Sequence, residues 1–187
     1  MRKIILSINT SLDGMVNDEL SWMQPDTDAT WNSLFEMLAG VDLLLLGGGM
    51  WDGYKNYWTS ALNETGFTKN EIKYAQYADK TSHIVLSSTL QDAGWHNASI
   101  AQGNLKQLIQ AIQSKPGKDI QIVGGAKFAT SLINAGLVDE YRLMINPVIL
   151  GKGISLYSNL LTKHSLECYK TELMDNGVVI IWYRRTT

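Results

Sequence analysis

Seven short apolar runs recur along the chain, each about as long as one β-strand. They are bounded by polar or glycine-containing segments, a pattern that predicts strands. The runs are Lys3–Asn9, Val41–Leu46, His83–Ser87, Ile120–Val123, Glu140–Leu150, Leu166–Leu173 and Val178–Arg184.

Helical periodicity fills several of the intervals between these runs. Apolar side chains recur at helical spacing from Trp31 to Leu38, from Leu105 to Ile112 and from Phe128 to Ala135. Asp28 and Asn104 are predicted N-caps of the first two helices, and Gly136 is predicted to end the third. The segment Tyr54–Lys80 is polar and aromatic with weak periodicity, which predicts a loop and one helix.

Alternating strands and helices predict an α/β domain with a largely parallel sheet. The end of the chain departs from this pattern, because Asp175-Asn176-Gly177 lies between two strand-like runs. A dipeptide such as Asn-Gly in that position favours a tight β-hairpin. The predicted sheet is therefore mixed and closes with antiparallel strands.

Length, charge and cysteine content narrow the class of protein. The 187 residues, 45% of them hydrophobic, suit a single domain over residues 1–187. A net charge of −2 without a basic cluster argues against a nucleic-acid partner, and no apolar run is long enough to cross a membrane. The N-terminus is interpreted as a strand instead of a signal peptide. The single cysteine, Cys168, fits a reducing cytoplasm and is expected to be an inert packing residue.

Two adjacent glycines stand where the fourth strand meets a helix, in the sequence IQIVGGAKFATSLINAG. In α/β sheets, ligands bind beyond the carboxyl ends of the strands, where helix N-termini offer free N–H groups. Lys127 adds a cation to the first turn, where an anion would neutralise both the lysine and the helix dipole. Gly124-Gly125 therefore suits a phosphate. A tight turn with nothing bound is an equally good interpretation of this pair alone.

Two further strand ends carry only glycines or hydroxyls. The second strand continues into Gly47-Gly48-Gly49, and the third ends in Ser87-Ser88-Thr89. Three such ends suit a long anionic ligand that is bound by backbone N–H and hydroxyl donors.

The segments ILSINTSLDG, LLLLGGGMWDGY, HIVLSSTL and IQIVGGAKFATSLINAGLVDEYRLMINPVILGKGISLY follow one another along the chain. In this order they resemble the motifs of the dihydrofolate reductase-like superfamily, most closely the reductase domain of bacterial riboflavin biosynthesis proteins. The resemblance implies a three-layer fold with a mixed, mostly parallel sheet of eight strands and flanking helices. It also implies bound NADPH, a homodimer and hydride transfer to a phosphorylated aminouracil.

Carried over by motif, the resemblance implies three groups of cofactor-binding residues. The segment that wraps the diphosphate corresponds to Gly124, Gly125, Ala126 and Lys127. The strand end at the adenosine ribose and its 2′-phosphate corresponds to Ser87, Ser88 and Thr89. The loop that closes over the same end corresponds to Gly47, Gly48, Gly49 and Met50.

Two positions depart from the family pattern on the side of the 2′-phosphate. Relatives often carry arginine where this chain has Gly48, and many riboflavin-type members carry arginine where it has Ser88. Both changes remove positive charge, so NADPH is the expected cofactor and NADH is not excluded.

The substrate side rests on fewer residues. Asn9 and Asp13 belong to the motif at the end of the first strand, and Asp13 is the candidate catalytic residue. A simple Asp-Gly turn is a competing interpretation. Asp26 and Thr27 correspond to the segment that carries a substrate-binding acid in dihydrofolate reductases.

Two kinds of function remain open. One is an NAD(P)H-dependent reductase acting on a pyrimidine, most like 5-amino-6-(5-phosphoribosylamino)uracil reductase, or on a pterin in the manner of dihydrofolate reductase. The other is a nucleotide-binding protein without catalysis. The three histidines share no metal-binding spacing, so no metal is expected.

Overall fold

A computed structural model describes residues 1–16, 21–158 and 160–186. Its centre is one sheet of eight strands in the order β4-β3-β2-β5-β1-β6-β8-β7. The first six of these strands run parallel, and β8 pairs antiparallel with both β6 and β7. The strands are β1 (Ile4–Ser11), β2 (Val41–Gly47), β3 (Ser82–Leu86), β4 (Ala98–Ala101), β5 (Asp119–Gly124), β6 (Glu140–Asn146), β7 (Leu166–Leu173) and β8 (Val179–Arg185).

Helices cover both faces of the sheet and complete three layers. The side chains of β1 alternate between two apolar clusters, so that Ile4 and Leu6 face one side and Ile5 faces the other. Helices α4 and α5 pack on the first side, and α1, α2 and α3 pack on the second. The helices are α1 (Asp28–Leu38), α2 (Gly48–Asn63), α3 (Lys69–Lys80), α4 (Leu105–Gln113) and α5 (Ala126–Asn134).

Several local predictions are confirmed. The Asn104 side chain caps α4 by accepting a hydrogen bond from the backbone N–H of Gln107. Gly136 follows the end of α5 with φ +64°, a conformation that glycine adopts without strain. The turn at Asp175-Asn176-Gly177 joins β7 and β8 as an antiparallel hairpin, and Gly177 has φ +82°.

The strand prediction differs from the structure at two places. The four-residue β4 at the sheet edge has no matching run in the sequence prediction, because its sequence, Ala-Ser-Ile-Ala, has one large apolar side chain. Strand β6 ends at Asn146 and does not reach Leu150. Pro147 follows Asn146 and has no N–H to donate to a neighbouring strand, which ends the sheet pairing there.

The weakly patterned segment is two helices, not a loop and one helix. Helix α2 begins at Gly48, directly after β2, and buries Trp51 and Tyr54. Helix α3 begins after Thr68, whose hydroxyl accepts the N–H of Glu71 while the Glu71 carboxylate accepts the N–H of Thr68. These aromatic contacts and caps stabilise helices that apolar periodicity alone does not reveal.

Cys168 is exposed, in contrast to the packing role expected for it. It lies on β7, an edge strand in which seven of the eight side chains are exposed and Glu172 is partly buried. The alternation of apolar and polar residues predicted a half-buried strand, but no described residue covers the apolar side of β7.

A buried aromatic cluster under α2 surrounds His83 of β3. The His83 ring is 1% exposed and stacks on Trp95, and its Nε2 lies 3.3 Å from the hydroxyl of Tyr54. The Tyr54 hydroxyl in turn lies 3.2 Å from that of Tyr74. Burial lowers the pKa of His83 to about 4, so the ring is neutral at pH 7.

We expect replacement of His83 by phenylalanine to flatten the dependence of stability on pH. Between pH 6.5 and about pH 4 the unfolded state takes up a proton on His83 and the folded state does not, so the folded protein loses stability as the pH falls. The loss amounts to up to about 3 kcal/mol. Urea unfolding of both proteins from pH 7 to pH 4 measures it. Parallel stability curves would contradict the assignment.

Candidate functional site

A cleft of about 530 Å³ opens at the carboxyl ends of β1, β2 and β5. The switch in strand order at this edge is the usual place for ligands in α/β sheets. Its lining is apolar and aromatic apart from one amide and several glycine backbones, a composition typical of sites for small ring compounds. The lining residues are Ile8, Asn9, Val16, Trp22, Met23, Gly49, Met50, Gly53, Tyr54, Val123, Gly124, Gly125 and Ala126.

Two helix N-termini at this edge lack side-chain caps. In the described chain, α1, α3 and α4 are capped by Thr27, Thr68 and Asn104. Helices α2 and α5 begin after Gly47 and Gly125, and neither has a side-chain cap. Their first N–H groups are therefore left for solvent or a ligand, and both N-termini carry the positive end of the helix dipole.

The backbone at Gly124 and Gly125 adopts conformations that other residues rarely take. Their φ angles are +147° and +90°. Helical bonding in α5 begins when the N–H of Ala129 donates to the carbonyl of Gly125 at 2.9 Å, so the three preceding N–H groups have no helical acceptor. Met50 packs over the pair, with its Sδ 3.6 Å from the place of a Cβ on either glycine. Lys127 is exposed in the first turn of α5.

A second cleft of about 440 Å³ lies between the ends of β3 and β4 and the helices α4 and α5. Ser87 and Ser88 line it, and Thr89 does not. The Ser87 hydroxyl accepts the N–H groups of Thr89 and Leu90 at 3.2 and 3.1 Å, which holds the turn after β3. The described lining contains no Lys or Arg.

Close packing explains two of the three glycines after β2. A Cβ on Gly47 would lie 2.9 Å from the Cβ of Phe128, and one on Gly48 would lie 2.7 Å from both the Cβ and Oγ of Ser87. A side chain at position 48 therefore requires Ser87 to move. Gly49 has open space around it.

Asn9 belongs to a chain of hydrogen bonds that sequence reasoning did not find. Asn146, which is 1% exposed, donates from Nδ2 to the Asn9 Oδ1 at 3.0 Å and accepts the N–H of Gln24 at 2.8 Å. The bonds connect β1, β6 and the segment before α1. The Asn-Pro step of the last motif was the available sequence signal, but only tertiary contact shows what the asparagine binds.

Asp13 holds a loop. Its carboxylate accepts bonds from the Ser11 hydroxyl at 2.6 Å and from the backbone N–H groups of Gly151 and Leu150 at 2.7 and 3.1 Å. These bonds lower the pKa of Asp13 to about 2, so it carries no proton to give at neutral pH. Asp13 does not line the cleft. The contacts support an anchoring role in place of the predicted catalytic one.

Thr27 and Asp26 have different environments. Thr27, and not Asp28, is the N-cap of α1, and its hydroxyl also donates to Asp175 at 2.5 Å. Its hydroxyl is therefore engaged within the protein, and its role in substrate binding stays a prediction. The Asp26 carboxylate accepts a bond from the Thr30 hydroxyl at 3.2 Å. Loss of hydration around the carboxyl raises the pKa of Asp26. The hydrogen bond from Thr30 and the positive charge of Arg142 both act to lower it.

Arg142 is a buried cation that the sequence analysis missed. It is 0% exposed and donates to the hydroxyls of Ser7 and Ser33 at 3.3 and 3.0 Å. No carboxylate among the described residues lies within ion-pair distance of it, and burial lowers its pKa to about 10. It lies opposite Ser7 in the β1–β6 pairing, two pairs before Asn9 and Met144.

Over residues 1–16, 21–158 and 160–186, no group of three or more His, Cys, Asp or Glu side chains is placed to hold a metal ion. Within the same ranges no helix has the length and apolar character needed to span a bilayer.

The model of the RibD C-terminal domain matches residues 2–180 of the chain. The chain belongs to this family. A relative 33% identical over 187 residues, covering 97% of this chain and 94% of its own length, is the Bacillus subtilis protein YyaP, described as uncharacterized.

Solved structures agree on the fold. A deaminase/5-amino-6-(5-phosphoribosylamino)uracil reductase from Thermotoga maritima aligns with a TM-score of 0.69 and 16% identity, over 99% of this chain and 57% of its own. Dihydrofolate reductase from Enterococcus faecalis, in complex with NADP(H), aligns with a TM-score of 0.64 and 14% identity, over 99% and 97%. The family member described here thus has a dihydrofolate reductase-like fold.

Proposed function

We propose that the protein is an NAD(P)H-dependent reductase that transfers a hydride to a heterocycle-linked C=N group of a pyrimidine- or pteridine-type substrate. The observation that carries this proposal is the pair of uncapped helix N-termini, α2 and α5, at one edge of the sheet. Residues at both N-termini line the larger cleft, and Phe128 of α5 lines the second, so we propose that a dinucleotide places its diphosphate at these helix ends.

The residues present fit such a cofactor. The free N–H groups after Gly125, together with Lys127, would hold the diphosphate, and Gly47 to Met50 would close over it. Ser87, Ser88 and Thr89 would meet the adenosine ribose. When bound, a reduced nicotinamide supplies the hydride, and the apolar walls Met50, Trp22 and Val123 would exclude water from the reacting atoms.

The substrate would occupy the part of the larger cleft beside Asn9 and Trp22. Asp26 precedes α1 and has a raised pKa; it does not line the cleft in the unliganded protein, and we propose that it contacts the bound substrate or supplies a proton. The family favours a substrate like 5-amino-6-(5-phosphoribosylamino)uracil, and dihydrofolate reductase-like activity on a pterin is the alternative. A protein that binds the nucleotide without turnover is the alternative of another class.

We expect the protein to oxidise NADPH when an aminouracil or a dihydropterin is added, and to lose cofactor binding when Gly125 becomes valine. Valine is strained at φ +90° and displaces the N–H groups that face the diphosphate. Nicotinamide absorbance measures turnover, and fluorescence titration measures binding.

Gly66→Val is the matched control, because Gly66 has φ +102° and open space around it and does not line either cleft. It should show comparable strain with unchanged cofactor affinity. A folded Gly125→Val protein with normal affinity would disprove the diphosphate site. Cofactor binding without turnover of any ring compound would favour the non-catalytic alternative.

We expect only modest preference for NADPH over NADH, because neither Gly48 nor Ser88 provides a cation. Ser88→Arg should strengthen NADPH binding by about fivefold, the value of an exposed charge pair, and leave NADH nearly unchanged. Its effect should shrink in high salt. Paired titrations at two ionic strengths test this, with Ser88→Gln as the uncharged control. A wild-type preference of several orders of magnitude would contradict the expectation.

We also propose a homodimer. The apolar residues of β6 are used inside the protein, so they do not support this proposal. The segment after β6 does, because Ile149 and Leu161 are 69% and 84% exposed. Light scattering at micromolar concentration should give twice the 20.8 kDa chain mass, and Ile149→Asp should reduce it. A monomeric mass for the unaltered protein would exclude the dimer.

A further inference from the structure

We propose that the substrate is an uncharged ring compound without a phosphate group, and that Asn9 recognises it by donating a hydrogen bond to a ring carbonyl. This inference rests on the proposed function and narrows its substrate class. It separates this chain from reductases whose substrate carries a ribose phosphate.

The chemistry of the cleft wall supports an uncharged ligand. The described lining has eight apolar or aromatic side chains, four glycines and one amide, with no Lys, Arg, Asp or Glu. A phosphate brought into such surroundings would lose its hydration without a charged partner, at high cost.

The nearest cations are committed elsewhere. Arg142 is 0% exposed and bonded to Ser7 and Ser33. Lys127 adjoins Ala126 but is exposed at the start of α5, where the proposed diphosphate would take its charge. Lys55 pairs with Asp52 at 3.5 Å. The described lining of the cleft therefore offers a substrate phosphate no positive side chain.

The orientation of Asn9 follows from its partners. Besides donating to the Asn9 Oδ1, the Asn146 Nδ2 lies 3.3 Å from the carbonyl of Met144, and the Asn146 Oδ1 accepts the N–H of Gln24. Reversing the Asn146 amide would place donor against donor and acceptor against acceptor. The Asn9 Oδ1 is therefore the engaged atom, and its Nδ2, which has no acceptor among the described residues, is the donor left for a ligand.

A carbonyl oxygen is the natural partner of this donor. Uracil- and pteridine-type rings carry carbonyl groups on their edges, and the flat apolar walls suit their faces. A neutral amide donor next to apolar walls selects such an uncharged acceptor, since a neutral hydrogen bond does not offset the desolvation of a phosphate. The cleft thus selects a ligand with a flat ring and no charge.

The test compares ligands that share one ring. Uracil and lumazine are each used as the riboside and as the riboside 5′-phosphate, and binding is measured by calorimetry with NADP⁺ present. The unaltered protein should bind at least one riboside about tenfold or more tightly than its phosphate. Asn9→Asp should weaken riboside binding about tenfold, because the donor is lost and a charge faces the carbonyl. Asn32→Asp, the same change at an exposed position of α1, should leave it unchanged.

A variant designed to gain phosphate binding provides an independent test. Met23→Lys places a cation in the cleft wall and should raise affinity for the phosphorylated ligands selectively. The proposal would be overturned if the unaltered protein bound a riboside 5′-phosphate as tightly as the riboside or more tightly. Full riboside affinity in a folded Asn9→Asp protein would also overturn it, and so would the absence of binding of either riboside. NADPH titration of the same samples separates these outcomes from failure of the proposed function, which would show as absent cofactor binding.

Discussion

Strand β1 lies between β5 and β6 in parallel register, with Leu6 opposite Ile122 on one side and Asn9 opposite Met144 on the other. Parallel pairing brings the carboxyl ends of neighbouring strands to one edge, and here it aligns β1, β5 and β2. Asn9, Met50 and the glycine pair of the larger cleft are placed by this pairing or by the helix that follows one of these strands. A slip of one residue would turn Asn9 to the opposite face and remove the amide from the cleft.

The buried Arg142 and the hydroxyl groups bonded to it affect both the stability of the protein and the electrostatics near the cleft. A buried guanidinium without a paired carboxylate is costly, and Arg142 offsets only part of this cost with two hydroxyl bonds and the Trp182 ring 5.5 Å away. The same cation acts on Asp26 by opposing the rise of its pKa. The interior therefore contributes to the electrostatics of the proposed substrate site and does not serve packing alone.

Much of the fold was predictable because its signals are local. The glycine pair at Gly124-Gly125, the turn before Val178 and the cap at Asn104 each depend on neighbouring residues in the chain. Helix α2 was missed because its buried face is aromatic and packs on His83, a contact that is distant in sequence.

The site was less predictable because its contacts also join residues that are distant in sequence. The oxygens of Asp13 bond to N–H groups about 137 residues away, and the amide of Asn9 takes its orientation from a strand equally distant. Sequence spacing carries no information about such partners. Motif matching indicated the edge of the sheet at which we propose the cofactor binds, whereas the contacts of Asp13, Thr27 and Asn146 depended on the tertiary structure.

The packing of Gly48 against Ser87 has an evolutionary consequence. Because a Cβ at position 48 would lie 2.7 Å from that serine, an arginine there is tolerated only after position 87 loses its side chain or shifts. The two positions are thus epistatic, and the order of substitutions matters. A lineage gaining a phosphate-reading arginine would pass first through glycine at 87, which would also remove the hydroxyl that holds the turn after β3.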